Sequence, residues 1–304
     1  MQRVVIVNPA ASGVDARRIE GVKRELAAAG PLEVLLTDHP GHAVELAAAL
    51  PADCASLYVL AGDGGYNEVV NGIQADLPIG FIPGGKTSVL PRALGLPRDP
   101  VACARHLAVS RTTRRIGLGC ATYRLIDVPG EPRRRRFTFS AGVGLDAELV
   151  RAIDKLGRDS GQRPGDLAFA WELARLLARH HGRIDPVLEI EGHGRTAFLL
   201  AANCDPYSYV GPFPIRAAPG ARFELGLDVV APRRMRPADI GRFFWWILIN
   251  PTQQRSPDVV YLHDVDRISV RPIRPTPMQV DGEDLGDVAE VILESERAVL
   301  TVMV

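Results

Sequence analysis

The feature that most constrains this chain is a change of rhythm along it. Through the first 118 residues, short apolar runs alternate with stretches of helical periodicity. "RVVIVN" reads as a buried strand. "DARRIEGVKRELAAAG" reads as a helix: Asp15 stands at the N-cap, Ile19, Val22 and Leu26 share a face, and Gly30 ends the run. "LEVLLT", "SLYVLAG" and "PIGFIP" read as further strands, and "GHAVELAAAL", "YNEVVNGI" and "SVLPRALG" as further helices. Such alternation predicts a parallel sheet with helices on both faces. From about Ile116 short strands and turns take over, in "YRLIDVPGEPRRRRFTFSAGVG", "PVLEIEGHGRTAFLLAAN", "RFELGLDVVA", "RISVRPI", "PMQVDGED" and "AVLTVMV". Two helical stretches, near 165–181 and 237–249, interrupt them. The expected organisation is an α/β domain with a parallel sheet over residues 1–118 and a mostly antiparallel β-sandwich over residues 119–304.

Charge narrows the function classes. Lys and Arg number 36, as do Asp and Glu, so no global field draws in nucleic acid. Cys54, Cys103, Cys120 and Cys204 lie far apart with no CxxC pair, which argues against a zinc ribbon or a disulfide framework and fits a reducing cytosol. The seven His show no ligand spacing. The first apolar run ends at Asn8-Pro9, too short for a signal peptide. The longest, "FFWWILI" from Phe243 to Ile249, is far below the roughly 20 residues of a membrane span. A cytoplasmic protein is expected.

Between the third strand and its helix stands "AGDGGYNEVVNGI", with Asp63 among Gly62, Gly64 and Gly65. Glycine lets backbone approach a ligand closely, and amides at a helix N-terminus attract phosphate oxygens. An aspartate there would repel phosphate unless a cation such as Mg²⁺ neutralises both. A tight turn capped by Asp63 is the alternative reading. A second glycine motif, "GFIPGGKT" from Gly80 to Thr87, matches the P-loop pattern letter for letter. Phe81 and Ile82 argue that a strand runs through Gly80, however, and Pro83 removes a backbone donor. The P-loop reading is set aside on that ground.

Taken in order, "VNPAASG", "AGDGGYNEVVNGI", "IGFIPGGKTSVLPRALGLP", "SAGVGLDAELV" and "QVDGED" resemble the diacylglycerol kinase catalytic-domain family. That family includes bacterial lipid kinases and sphingosine and ceramide kinases, and is distantly related to NAD kinases. The resemblance implies ATP with Mg²⁺ as phosphoryl donor, a lipid hydroxyl as acceptor, and an active site in the cleft between the two domains. It places Asn8, Ser12, Gly13 and Thr37 beside the nucleotide, with Gly62, Asp63, Gly64, Gly65, Asn67 and Glu68 in the glycine loop. Gly84, Gly85 and Lys86 form the second phosphate-side turn. Glu283 becomes the proton acceptor, with Asp281 beside it and Asp63 at the phosphates as a catalytic and metal-side group. Three departures stand out. Ala61 and Gly65 replace a Gly and a Thr of Gly-Gly-Asp-Gly-Thr, Lys86 and Ser88 replace the Thr and Asn of Gly-Thr-x-Asn, and Glu224 replaces an Asp that holds a second Mg²⁺ in some members.

The expected partners are a lipid substrate and, transiently, the inner face of the membrane, with no nucleic acid; a homo-oligomer is compatible with this. "PRRRRF", Pro132 to Phe137, reads either as a solvated loop tip or as a contact for anionic headgroups, and "FFWWILI" either as core or as lipid-facing. "QVDGED" also reads as a hairpin with an Asp-Gly type I′ turn. A catalytically weak lipid- or nucleotide-binding protein, and a soluble NAD- or sugar-kinase-like enzyme, remain as alternatives.

Overall fold

The computed structural model describes residues 2–128, 130–160 and 165–304. They form two compact units, Met1–Leu118 with Arg297–Val304, and Gly119–Glu296.

The first unit holds β1 (Gln2–Val7), α1 (Ala16–Ala27), β2 (Leu32–Leu36), α2 (His42–Ala48), β3 (Cys54–Ala61), α3 (Asp63–Gly72), β4 (Ile79–Pro83), α4 (Val89–Ala93) and α5 (Pro100–Val109). Its strands lie in the order β4-β3-β1-β2, all parallel. β3 and β4 are almost wholly buried and β1 is buried from Val4 to Val7, as strands with both faces covered must be. Asp15 caps α1 by accepting from the Arg18 amide at 2.7 Å, and Val22 and Leu26 turn inward. The chain builds outward from β1 to β2, then crosses back to β3 and on to β4. The direction therefore reverses between β1 and β3, where open α/β sheets bind ligands at the carboxyl ends of their strands. Gly80, Phe81, Ile82 and Pro83 all lie within β4, in register with Tyr58 to Ala61, so the P-loop look-alike is strand, not loop.

The second unit holds most of β5 (Thr113–Leu125), then β6 (Arg133–Phe137), β7 (Ser140–Val143), α6 (Leu145–Ser160), α7 (Asp166–Arg179), β8 (Leu188–Ile190), β9 (Gly194–Thr196), β10 (Leu199–Ala202), β11 (Ser208–Val210), β12 (Phe213–Ile215), β13 (Leu227–Pro232), α8 (Pro237–Leu248), β14 (Val259–Val265), β15 (Arg267–Pro272), β16 (Thr276–Val280) and most of β17 (Glu283–Met303). Its strand pairs are antiparallel. Val143, Leu199, Val229, Met278, Val288 and Leu293 belong to one core cluster. A second cluster, around Leu145, Leu176 and Phe198, is covered by α6, α7 and α8.

Four features differ from the sequence reading. Asp99 and Pro100 open a helix, α5, in which the Asp99 carboxylate accepts from the Ala102 amide at 2.8 Å. The stretch after Gly144 forms a third helix of the second unit, α6, with Asp146 and Glu148 in its first turn. "PRRRRF" is not a loop tip: Arg133 to Phe137 pair with Gly119 to Tyr123 of β5, Arg134 and Arg136 both pair with Glu296, and Arg135 pairs with Glu283. Finally, residues 297–304, read with the second domain, are part of the first unit. Val302 is wholly buried there, parallel to and opposite Ile79.

That last placement is testable. Val302→Asp puts an unpaired charge against β4. Hydrogen exchange should then lose protection over residues 79–83 and keep it in β10 and β13. Loss concentrated in β10 and β13 would instead assign the segment to the second unit.

Candidate functional site

Three loops of the first unit meet at the carboxyl ends of β1, β3 and β4. The Gly13 amide donates to the Gly84 carbonyl at 2.8 Å, and the Gly84 amide donates to the Ala61 carbonyl at 2.7 Å. Neither glycine tolerates a side chain. A Cβ on Gly13 would lie 2.8 Å from the Gly84 oxygen, and one on Gly84 would lie 2.8 Å from the Ala61 oxygen. Gly85 also approaches Gly62, a Cβ on it falling 3.1 Å from the Gly62 Cα. Asn8 shapes the first loop: its amide donates to the Leu60 carbonyl and its side chain accepts from the Ala10 amide, both at 2.9 Å. Ser12 is exposed on that loop, and the Thr37 amide holds the end of β2 to the Val7 carbonyl at 2.9 Å.

The same place is the start of α3. Its N-cap, Gly62, supplies no side-chain cap, and a Cβ on Gly64 would meet nothing within 4 Å. First-turn amides without a side-chain cap, beside open space, are the ordinary recipe for holding an anion. Asp63 is only 5% exposed and accepts from the Val89 amide at 2.7 Å, so it fixes the start of α4 as well as carrying charge. Glu68 turns away from the loop. Its two oxygens accept from the Gly41 and Ala43 amides at 3.0 and 3.2 Å and anchor the start of α2. Asn67 is buried and accepts from the Asn71 side chain at 3.1 Å. Glu68 therefore positions backbone. Tyr66, passed over in the sequence, ties α3 to β4 by donating to the Ile82 carbonyl at 2.7 Å, and burial pushes its pKa well up, keeping it a donor.

The second turn explains one departure from the family pattern. Ser88 sits in the left-handed region at φ 48°, which Asn enters more readily than Ser. Ser88 compensates by bridging Gly85, accepting from its amide at 3.0 Å and donating to its carbonyl at 3.1 Å. Lys86 lies exposed within this turn.

In the second unit, Asp281 and Gly282 form a two-residue turn between β16 and β17, with φ of 47° and 80°, the signs a type I′ turn requires. The Asp281 carboxylate accepts from the amides of Thr138, Phe139 and Ser140 and from the Thr138 hydroxyl, at 2.7 to 3.1 Å. It is buried and spent on holding the turn, which makes it a positioning residue. Glu283 is exposed and accepts from Arg135 at 2.7 Å. Beneath the turn, Gln279 donates to Asp146 at 2.6 Å and accepts from the Gly282 amide at 2.8 Å, while the Tyr207 hydroxyl donates to Asp146 at 2.6 Å. Desolvation pushes the Asp146 carboxyl up, opposed by these two donors. The "SAGVGLDAELV" motif supplies both Asp146 and the Gly142 that makes room for it: a Cβ there would lie 2.0 Å from the carboxylate.

The metal expectations fare differently. Among the described residues, the one group of three ligand atoms close enough to hold a cation is Asp38, His39 and His42; neither Asp63 nor Glu224 belongs to such a group. Glu224 is exposed, and Asp228 in the same stretch spends its oxygens on Tyr261, His263 and the Asp264 amide at 2.6 to 3.2 Å.

Two family departures prove to be one size exchange. A Cβ on Gly65 would lie 2.6 Å from the Ala61 Cβ, so the methyl at 61 fills the space that the missing side chain at 65 leaves. Gly65→Thr alone should cost about 1–3 kcal/mol by overpacking. Adding Ala61→Gly should recover most of that loss in urea unfolding. Strictly additive effects would contradict the exchange.

Residues 2–121 match the family model described as the diacylglycerol kinase catalytic domain. A solved diacylglycerol kinase from Bacillus anthracis str. Sterne is 17% identical, with a TM-score of 0.70 over 99% of this chain and 96% of that one. A structure of a candidate diacylglycerol kinase from the same organism is 19% identical, with a TM-score of 0.73 over the same shares. At this identity they show the shared fold, an α/β unit followed by a mostly antiparallel one. No curated protein matches the chain. Residues 2–121 are thus similar to the diacylglycerol kinase catalytic domain, and the chain shares the fold of these solved structures.

Proposed function

We propose that the chain is an ATP-dependent lipid kinase acting at the cytoplasmic face of a membrane. The observation that carries this reading is the meeting of the glycine turns at the start of α3, which lacks a side-chain cap. The absence of side chains at Gly13, Gly84 and Gly85 lets the three loops close on one another around the uncapped first turn of α3, whose amides meet the phosphate oxygens, and Lys86 adds a cation in place of a lost hydroxyl. The site residues fit a nucleotide's phosphates better than a metal held by protein alone, so Mg²⁺ would come with the phosphates, Asp63 being the carboxylate of the loop. Bound MgATP supplies the phosphoryl group and neutralises its charge. Glu283, oriented by Arg135 on a turn held by Asp281, receives the proton of the acceptor hydroxyl. Phosphoryl transfer demands little prior deprotonation, so positioning supplies most of the rate.

The acceptor proposed first is diacylglycerol, with ceramide or a sphingoid base next. Labelled ATP, Mg²⁺ and a panel of neutral lipids in mixed micelles test this. Turnover on one of them is expected, and none on any would leave a binding protein. With the active lipid, Glu283→Gln should lower kcat at least about tenfold with little change in ATP affinity. Asp63→Asn preserves an acceptor for the Val89 amide while removing the charge. It should cut kcat/KM for ATP by about two orders of magnitude, whereas a change of only a few fold would reduce Asp63 to a cap.

No helix among the described residues is long and apolar enough to cross a membrane. An attachment surface nonetheless suggests itself. α8 has no fully buried residue: Phe243 packs inward on Phe198 while Trp245, Leu248 and Ile249 are 52%, 51% and 63% exposed. The aromatic run thus divides by face, and Phe213 of β12 is exposed as well. Trp and aliphatic side chains exposed together suit a membrane interface. The protein should float with phosphatidylglycerol vesicles at low salt, and Trp245→Asp with Ile249→Asp should abolish most of that enrichment. Absence of flotation in the unaltered protein would remove the membrane from the proposal.

A further inference from the structure

The loop between β2 and α2 carries a group that the kinase reading does not use. Asp38, His39 and His42 each bring one ligand atom to within 4.8 Å of the others. His42 Nδ1 lies 2.7 Å and His39 Nε2 lies 3.4 Å from Asp38 Oδ1. The two imidazoles stack with centroids 4.7 Å apart and planes 9° apart. His39 Nδ1 is 3.0 Å from the Pro40 carbonyl. Donating there, the neutral ring presents its Nε2 lone pair toward Asp38. This is the outer hydrogen bond that sets the tautomer of metal-bound histidines.

The backbone is built to hold this arrangement. Gly41, at φ 86°, bends the chain so that His42 returns to Asp38, and Glu68 of α3 clamps the Gly41 and Ala43 amides. The side chains of Asp38, His39 and His42 are 74%, 51% and 21% exposed, so a hydrated cation reaches them without any opening of the fold. Bonds of about 2.0–2.2 Å to a tetrahedral ion place neighbouring ligand atoms about 3.3 Å apart. The His39 edge already has that length. His42 Nδ1 accepts from the Asp38 amide at 3.3 Å and lies 2.7 Å from the Asp38 carboxylate oxygen, an edge that lengthens when a metal enters between them.

We propose that Asp38, His39 and His42 form a binding site for a divalent transition cation of the zinc class. Two imidazoles and one carboxylate suit Zn²⁺, Co²⁺ or Ni²⁺, whereas Mg²⁺ prefers oxygen alone. Three protein ligands leave a coordination position for water. Occupancy pins the loop that follows Thr37, which Glu68 links to α3. The site stands independently of the reaction assigned to the chain.

The test is calorimetric titration of the full chain with ZnCl₂, at a pH where histidine is neutral. One equivalent should bind, a large excess of Mg²⁺ should not displace it, and Asp38→Asn, His39→Ala or His42→Ala should each weaken it at least about tenfold. In the unaltered protein, zinc should also shield His39 and His42 from carbethoxylation by diethylpyrocarbonate, read by mass spectrometry, which does not depend on how the variants fold. No uptake, uptake equal in all three variants, displacement by Mg²⁺, or unshielded His39 and His42 would each overturn the proposal.

Discussion

Two backbone hydrogen bonds organise the first unit's candidate site, Gly13 to Gly84 and Gly84 to Ala61. They bind the loops after β1, β4 and β3 into one turn system, and they form only because no Cβ stands at either glycine. The sheet order makes this possible. Reversal of the winding direction between β1 and β3 parts the helices there, and the loops fill the crevice with backbone rather than side chains. The Gly13 and Gly84 amides are spent on this bracing, and it is the uncapped first turn of α3 beside them that offers an anion fixed donors.

Carboxylates supply the second layer of order, and three of them bind backbone. Glu68 holds the start of α2, Asp63 the start of α4, and Asp281 the turn before β17. A carboxylate that accepts several amides is well satisfied when buried, which is how these groups avoid the cost of desolvation. This separates them from Glu283, which is exposed and pairs with Arg135, itself on a strand that reads in the sequence as a loop.

Much of this was legible in the sequence because it is local. The Asp15 cap, the strand through Gly80 to Pro83 and the Asp-Gly turn each follow from a few adjacent residues. Helix α5 is equally local: Asp99-Pro100 is a cap followed by a first-turn proline. What stayed hidden depends on distant partners. Nothing near Val302 announces that it faces Ile79, and nothing in "PRRRRF" announces Glu296 and Glu283. The seven His show no ligand spacing along the chain, whereas His39 and His42 meet through a left-handed glycine in a loop. The pairing of Ala61 with Gly65 was visible as two departures but not as one exchange, since only the packing brings position 65 onto position 61.

The central claim is that the glycine turns of the first unit form a phosphate site. Amide chemical shifts of the isotopically labelled protein, followed while a non-hydrolysable ATP analogue with Mg²⁺ is added, test it most directly. The account predicts that the largest changes fall at Asn8–Gly13, Gly62–Gly65 and Gly84–Ser88, and that adenosine without phosphates leaves these amides nearly unmoved. Changes of equal size with adenosine, or changes confined to residues outside these three loops, would contradict it.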